Sequence, residues 1–363
     1  MRVLMAMSGG IDSTVSAMLL QEQGCELVGV TFRTFDSIKE HCLAKEKGCC
    51  SVESIMEAKH MAEKLGFEHH IVDFREVFKE KVISNFIQEY LHGRTPNPCV
   101  LCNSHIKWGV LMQQADALGC EKIATGHYAC IRKRNGRTYL ATAADTHKDQ
   151  TYFLWMLTEE NLQRTLFPLG GHTKEQVRQM AAERGFETLS HKRESQEICF
   201  IPDNDYRHFL EKEVPDFHTI CPEGNYIGAD GKVLGRHKGF ACYTIGQRKG
   251  LGIALGRPRY VTMVDALRNE VTLGDYEDLY TTGLLADACR IREPEWLQNE
   301  AEVEARIRYK SPAQSATLQL EGEKAQVHFA RPVWGVTPGQ SVVFYKDGLV
   351  AGGGIISSVP RFP

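Results

Sequence analysis

Arg2-Val3-Leu4-Met5-Ala6-Met7-Ser8-Gly9-Gly10-Ile11-Asp12-Ser13 is the stretch that decides how this chain folds. The apolar run Val3, Leu4, Met5 reads as a buried strand, and Val15, Met18 and Leu19 repeat at helical spacing until Gly24 ends the helix. Two glycines between a strand and a helix let the backbone turn tightly and aim its N–H groups at an anion. The helix dipole adds partial positive charge there. Ser8 and Ser13 supply hydroxyl donors, and Asp12 is the candidate ligand for a Mg²⁺ ion carried on phosphates. A Walker loop would place Gly-Lys-Ser/Thr after its glycines, and no lysine stands in this one.

Outward from the loop, strand and helix alternate. Residues 27–32 read as a strand, and Ile55, Ala58, Ala62 and Leu65 form a helical apolar face ended by Gly66. A strand at 70–74 follows, then helices through Phe78, Val82, Phe86 and Tyr90 and through Ile106, Val110 and Leu111, then a strand at 122–125. This alternation predicts a doubly wound parallel α/β sheet whose ligand lies at the carboxyl ends of the strands. Asn135-Gly136 between 128–131 and 138–141 signals a hairpin, and Thr173-x-x-Gln176 a capping box on a helix closing at Gly185.

From about residue 206 the texture changes to short segments broken by glycine, and from about 279 to strands at 302–309, 316–320, 325–329 and 341–345. The expected organisation is an α/β domain over 1–205, a small mostly-β domain over 206–278 and a C-terminal β-barrel over 279–363. Residues 231–264 hold Lys232, Arg236, Lys238, Arg248, Lys249, Arg257 and Arg259 with seven glycines and no acid, a pattern suited to nucleic-acid phosphates. The chain's net charge of −3 means that such a partner must be met by local patches.

The 363 residues are 42% hydrophobic and 25% charged, an ordinary globular balance. No run suits a bilayer and Met1-Arg2 leads straight into a strand, so a cytoplasmic chain without signal peptide or membrane helix is expected. Twelve cysteines then read as reduced thiols. Cys99 and Cys102 form Cys-x-x-Cys in Pro96-Asn97-Pro98-Cys99-Val100-Leu101-Cys102-Asn103, read as an extended, exposed loop with Cys102 at or beside a helix start that favours its thiolate. Cys42, Cys49 and Cys50 do not complete a zinc spacing. Cys199, within Glu194-Ser195-Gln196-Glu197-Ile198-Cys199-Phe200-Ile201-Pro202, is a second locus that by itself reads as a core cysteine.

The opening loop resembles the Ser-Gly-Gly-x-Asp-Ser loop of the PP-loop ATP pyrophosphatases. Five further segments extend the likeness: Gly93-Arg94-Thr95-Pro96-Asn97-Pro98 with Cys102-Asn103, Ala124-Thr125-Gly126-His127-Tyr128, Lys148-Asp149-Gln150-Thr151-Tyr152-Phe153-Leu154, Ile198-Cys199-Phe200-Ile201 and Thr244-Ile245-Gly246-Gln247-Arg248-Lys249-Gly250-Leu251-Gly252. With Val336-Thr337-Pro338-Gly339-Gln340-Ser341, and in this order, the chain resembles the tRNA-specific 2-thiouridylase family. The resemblance implies an adenine-nucleotide hydrolase-like fold and a sulfurtransferase that replaces the 2-oxygen of a wobble uridine by sulfur. ATP adenylates that oxygen, a persulfide on Cys199 delivers sulfur, and Cys102 resolves it as a disulfide. By the same likeness Ala6, Met7, Ser8, Gly9, Gly10, Ile11, Asp12, Ser13, Phe32 and Gly126 contact ATP. Asn97, Pro98 and Cys99 meet the target base, and His127, Lys148, Asp149, Gln150, Arg308, Tyr309 and Gln340 the tRNA. A persulfide-donating protein is the implied partner.

One position departs from the family, because an aspartate is common where this chain has Cys99. Cys99, Cys102 and Cys199 could then hold an iron–sulfur cluster. Competing readings are a PP-loop ligase or amidating enzyme acting on a small molecule, and a sulfur-relay or binding protein in which the loop senses nucleotide.

Overall fold

A computed structural model describes residues 1–35, 52–190, 198–201, 203–292 and 300–360. Cys42, Cys49, Cys50, Glu194 to Glu197 and Pro202 lie outside the described residues. The chain divides into two compact units. One comprises Met1–Ile83, Pro98–Asn204 and Asp347–Val350, and the other Ser84–Asn97, Asp205–Lys346 and Ala351–Pro363.

In the first unit β1 (Arg2–Ala6), β2 (Glu26–Arg33), β3 (His69–Asp73), β4 (Lys122–Ala124) and β7 (Thr165–Leu166) form a parallel sheet in the order β3-β2-β1-β4-β7. The chain proceeds from β1 outward through β2 and β3, then returns to place β4 on the other side of β1. The order in which strands are added therefore reverses between β1 and β4, where open α/β sheets bind ligands. Val3, Leu4 and Met5 are fully buried, as central parallel strands require. Helix α1 (Ile11–Glu22) and α2 (Val52–Leu65) end before Gly24 and Gly66 as expected. The hairpin of β5 (Cys130–Arg134) and β6 (Arg137–Ala141) turns on Asn135 and Gly136, both at positive φ. Its β6 pairs Ala141 with Leu349.

The cysteine loop differs from its sequence reading. Pro98 starts a helix, Pro98–Leu101, which widens into a π-helical segment, Cys102–Val110. Proline fits the first helical position because its missing N–H has no partner there anyway. Cys102 therefore lies a turn inside the helix, and Cys99, exposed in the first turn, takes the position next to the helix start.

In the second unit β8 (Gly224–Gly228), β9 (Val233–His237), β10 (Tyr260–Asp265) and β11 (Glu270–Gly274) form a small sheet in the order β10-β11-β8-β9. The helix Tyr206–Glu213 precedes it, with Phe209 packed edge-on to Phe86 and Tyr206 stacked on Tyr90 at 4.5 Å. The strands β12 (Tyr280–Ile291), β13 (Ala301–Arg306), β14 (Gln314–Glu321), β15 (Lys324–Trp334), β16 (Ser341–Lys346) and β17 (Leu349–Ser358) follow. They run in the order β12-β15-β14-β13-β16-β17, and pairing of β12 with β17 closes a six-stranded antiparallel barrel. Inward residues such as Val303, Leu318, Val327, Phe344 and Ile356 fill it. The strand expected over 302–309 stops at Arg306, where Arg308 and Ser311 form a turn.

Candidate active site

The phosphate loop occupies the sheet reversal. Met7 N still bonds Val30 O at 2.8 Å, and the chain then leaves the sheet through Ser8, Gly9 and Gly10. Gly9 has φ +69°, and a Cβ there would lie 2.5 Å from Ser54 O, so only glycine fits. Gly10 is the N-cap of α1 and no side chain caps this end. The serines tie the loop to its helix: Ser8 N donates to Ser13 Oγ at 3.2 Å, and Ser13 Oγ donates to Gly10 O at 3.0 Å. An uncapped helix start with fixed serines is an anion site by construction.

On the β4 side, a Cβ on Gly126 would fall 2.9 Å from both the Asp12 carbonyl carbon and Ser13 N. Gly126 thus lets the β4 strand end lie directly against the loop helix. His127 follows, with Nδ1 2.7 Å from Thr125 Oγ1 and Nε2 3.3 Å from Lys107 Nζ. The lysine can only donate, so Nε2 accepts and Nδ1 carries the proton. Burial first, and then the Lys107 charge, hold this imidazole well below the usual histidine range. It is neutral, and its partner stands on the helical segment that begins with Cys102.

Asp12 is more engaged than its sequence reading required. Lys174 Nζ donates to Asp12 Oδ1 and Oδ2, both at 2.8 Å, and the Tyr128 hydroxyl donates to Oδ1 at 3.0 Å. The sequence singled out neither Lys174 nor the role of Tyr128. The only local signal for Lys174 was the Thr173 capping box, which sets it at the first position of the helix Lys174–Glu183.

Other expected site residues also make contacts within the fold. Asp149 is buried and accepts from Ala143 N at 3.1 Å and Thr151 Oγ1 at 2.7 Å. Gln150 and Tyr128 bond reciprocally through Tyr128 N to Gln150 Oε1 and Gln150 N to Tyr128 O. Lys148 is half-buried beside them. Cys199 is half-buried, and its neighbour Phe200 is buried against Phe78 and Phe35. Phe32 packs against Phe74 with ring centroids 5.1 Å apart and planes tilted by 37°. Among the described residues no three His, Cys, Asp or Glu side chains are gathered to hold a metal ion. Cys99, Cys102 and Cys199 thus do not present a preformed cluster site.

In the second unit, Asn97 ends a segment held by Gln340, whose Nε2 donates to Thr95 O at 3.0 Å and Pro96 O at 2.8 Å. Arg308 lies over the Trp334 ring at 5.5 Å and donates to Gly335 O and Thr337 Oγ1, with Tyr309 half-buried beside it. The acid-free window is partly neutralised in space. Arg257 and Arg259 reach Asp275, and Lys232 reaches Asp230. Arg248 and Lys249 are exposed and have no ion pair among the described residues. Arg248, Arg257 and Arg259 line one cavity of about 330 Å³ with the glycine backbone of 250–252.

Comparison with known proteins places the site in a family. Residues 1–203 match the tRNA methyl transferase HUP domain, 207–275 the tRNA methyl transferase PRC-barrel domain and 286–356 the aminomethyltransferase beta-barrel domain. The chain is 49% identical over 363 residues to the tRNA-specific 2-thiouridylase MnmA of Amoebophilus asiaticus, covering 100% of this chain and 96% of that one. It is 48% identical over 358 residues to that of Cytophaga hutchinsonii, covering 98% and 97%. A solved complex of a 4-thiouridine synthetase with RNA and bound ATP aligns over 60% of this chain and 52% of that one, at 19% identity and TM-score 0.36. With three family domains matched in order and relatives 48–49% identical over 98–100% of its length, the chain belongs to the tRNA-specific 2-thiouridylase family.

Proposed function

We propose that this protein is an ATP-dependent tRNA sulfurtransferase that converts the wobble uridine to 2-thiouridine. The observation that carries the reading is that one folded unit holds the uncapped anion loop together with Cys102 and Cys199. A carbonyl oxygen on a pyrimidine leaves only when activated. Attack of the uridine 2-oxygen on the α-phosphate of ATP releases pyrophosphate and makes an adenylate. The terminal sulfur of a Cys199 persulfide then attacks carbon 2 and AMP departs. The Cys102 thiolate attacks Cys199 Sγ, the S–S bond breaks with its electron pair on the transferred sulfur, and a Cys102–Cys199 disulfide remains for a thiol reductant to reopen.

The chain's own residues supply the rest. The loop N–H groups and the Ser8 hydroxyl bind the phosphates, and Asn97, at the end of the Gln340-held segment, is the residue assigned to the base by the family likeness. Mg²⁺ would arrive with ATP rather than in a protein cage, and no step is assigned to it or to an iron–sulfur cluster. Boundaries at 205 and 278, a persulfide-donating protein partner and a cytoplasmic location complete the proposal. No described helix is long and apolar enough to cross a membrane.

The test is to assay AMP, pyrophosphate and 2-thiouridine with ATP, a persulfide donor and tRNA. All three products should appear only with tRNA. AMP formation from a small carboxylate or carbonyl substrate without tRNA would favour a ligase instead, and no turnover with tight ATP binding a nucleotide sensor.

A further inference from the structure

The phosphate loop has no lysine of its own, yet a lysine enters it from 162 positions downstream. Lys174 is 8% exposed, its ammonium is bound to both oxygens of Asp12, and it lies 5.8 Å from the Tyr128 ring centre. Its backbone is fixed twice, by the Thr173–Gln176 capping box and by Lys174 N donating to Asp145 Oδ2 at 3.0 Å.

Packing does not require this charge. Ile11, Val15 and Met18 of α1 already pack with Val177, Ala181, Leu169 and Phe186 in one apolar cluster. A partly buried ion pair whose aspartate side chain is 33% exposed adds little to such a junction, because solvent screening and desolvation offset most of its attraction. Without the lysine, however, the Asp12 carboxylate would stand unopposed in the first turn of α1, where a polyphosphate must bind. Repulsion between them would oppose what the helix dipole offers.

We propose that Lys174 is the phosphate-binding cation of this site and that Asp12 holds it ready. When ATP arrives, the ammonium transfers part of its hydrogen bonding from the carboxylate to the oxygens of the two outer phosphates. It stays there as pyrophosphate forms. The inference rests on the ATP-cleaving reading above and adds a residue to it.

Binding of ATP, inorganic pyrophosphate and AMP is measured in EDTA by calorimetry for the wild type, Lys174→Met, Asp12→Asn and the double variant. Lys174→Met should weaken ATP and pyrophosphate by at least about 30-fold, the scale for loss of a desolvated charge contact, and leave AMP within about threefold. Asp12→Asn should keep or raise pyrophosphate affinity, since it removes the carboxylate that competes with phosphate for the ammonium. Adding Lys174→Met to Asp12→Asn should abolish that affinity while restoring the melting temperature of Lys174→Met. Equal pyrophosphate binding by Asp12→Asn and the double variant overturns the proposal and leaves the pair a structural staple. Failure of wild-type protein to bind ATP at all would instead remove the functional reading.

Discussion

Gln340 holds Pro96 by its carbonyl, with Nε2 2.8 Å from the Pro96 oxygen, and takes Thr95 O at 3.0 Å with the same nitrogen. Thr95 N in turn donates to Pro338 O at 2.9 Å. A side chain expected to touch tRNA thus fixes the segment that carries Asn97. Gln340→Ala removes both side-chain bonds and should cost about 1–3 kcal/mol of stability. Thiolation kcat/KM should fall at least about tenfold while ATP affinity stays unchanged. If urea midpoint and thiolation both match wild type, the segment is held by other means.

Cys199→Ser should retain ATP and tRNA binding and tRNA-dependent AMP formation but make no 2-thiouridine, because a hydroxyl cannot carry the transferred sulfur. Nucleoside mass spectrometry decides this, and more than a few per cent of product removes Cys199 from the chemistry. Cys99→Asp, at the exposed first turn of its helix, should preserve or raise activity, since the proposed disulfide uses only Cys102 and Cys199. Activity that tracks bound iron and vanishes in Cys99→Asp would call for a cluster instead.

Arg248 and Lys249 are exposed and lack acidic partners among the described residues, unlike Arg257 and Arg259. Replacing both with alanine should weaken all cognate tRNAs about equally. The slope of log affinity against log salt should fall by roughly one to two units, as for two lost phosphate contacts. An unchanged slope means that this loop faces solvent in the complex.

His127 is held neutral by burial and by Lys107, so its folded pKa lies below its unfolded value. The unfolded chain therefore binds more protons below about pH 6.5, and stability present above that pH is lost as pH falls. His127→Asn should flatten the acid limb of stability against pH by up to about 1.4 kcal/mol per unit. Some slope should remain, because burial also lowers His69 and His237. Chemical denaturation at several pH values measures it, and an undiminished limb would assign the acid loss to other groups.

The sequence carried the first unit well because its signals were local. The run Val3 to Met5, Gly24, Asn135-Gly136 and the Thr173 box each name their element by period or turn chemistry. The second unit was harder to read. β12 buries Leu284, Ala286 and Cys289 but leaves Leu285 exposed and breaks the alternation, and β17 passes through Gly352, Gly353 and Gly354, so neither announces a strand. Closure of the barrel by these two is a non-local event that no window of sequence contains. The Lys174–Asp12 pair was hidden for the same reason. The helix start at Pro98 was local, but two flanking asparagines and two prolines imitate a loop.

Residues 347–350 belong to the first unit, where Leu349 pairs with Ala141, Thr142 N donates to Gly348 O and Arg134 meets Asp347. Chain order and fold order therefore disagree. On the ribosome the nucleotide-binding half waits for residues 347–350, made after the strands β12 to β16, before its hairpin gains a third strand. A stop codon just after Lys346 would strand that edge unpaired, so the catalytic half is not a module that can be cut free by ending the chain before residue 347. Any split version of this protein has to return residues 347–350 to that edge as part of a separate peptide.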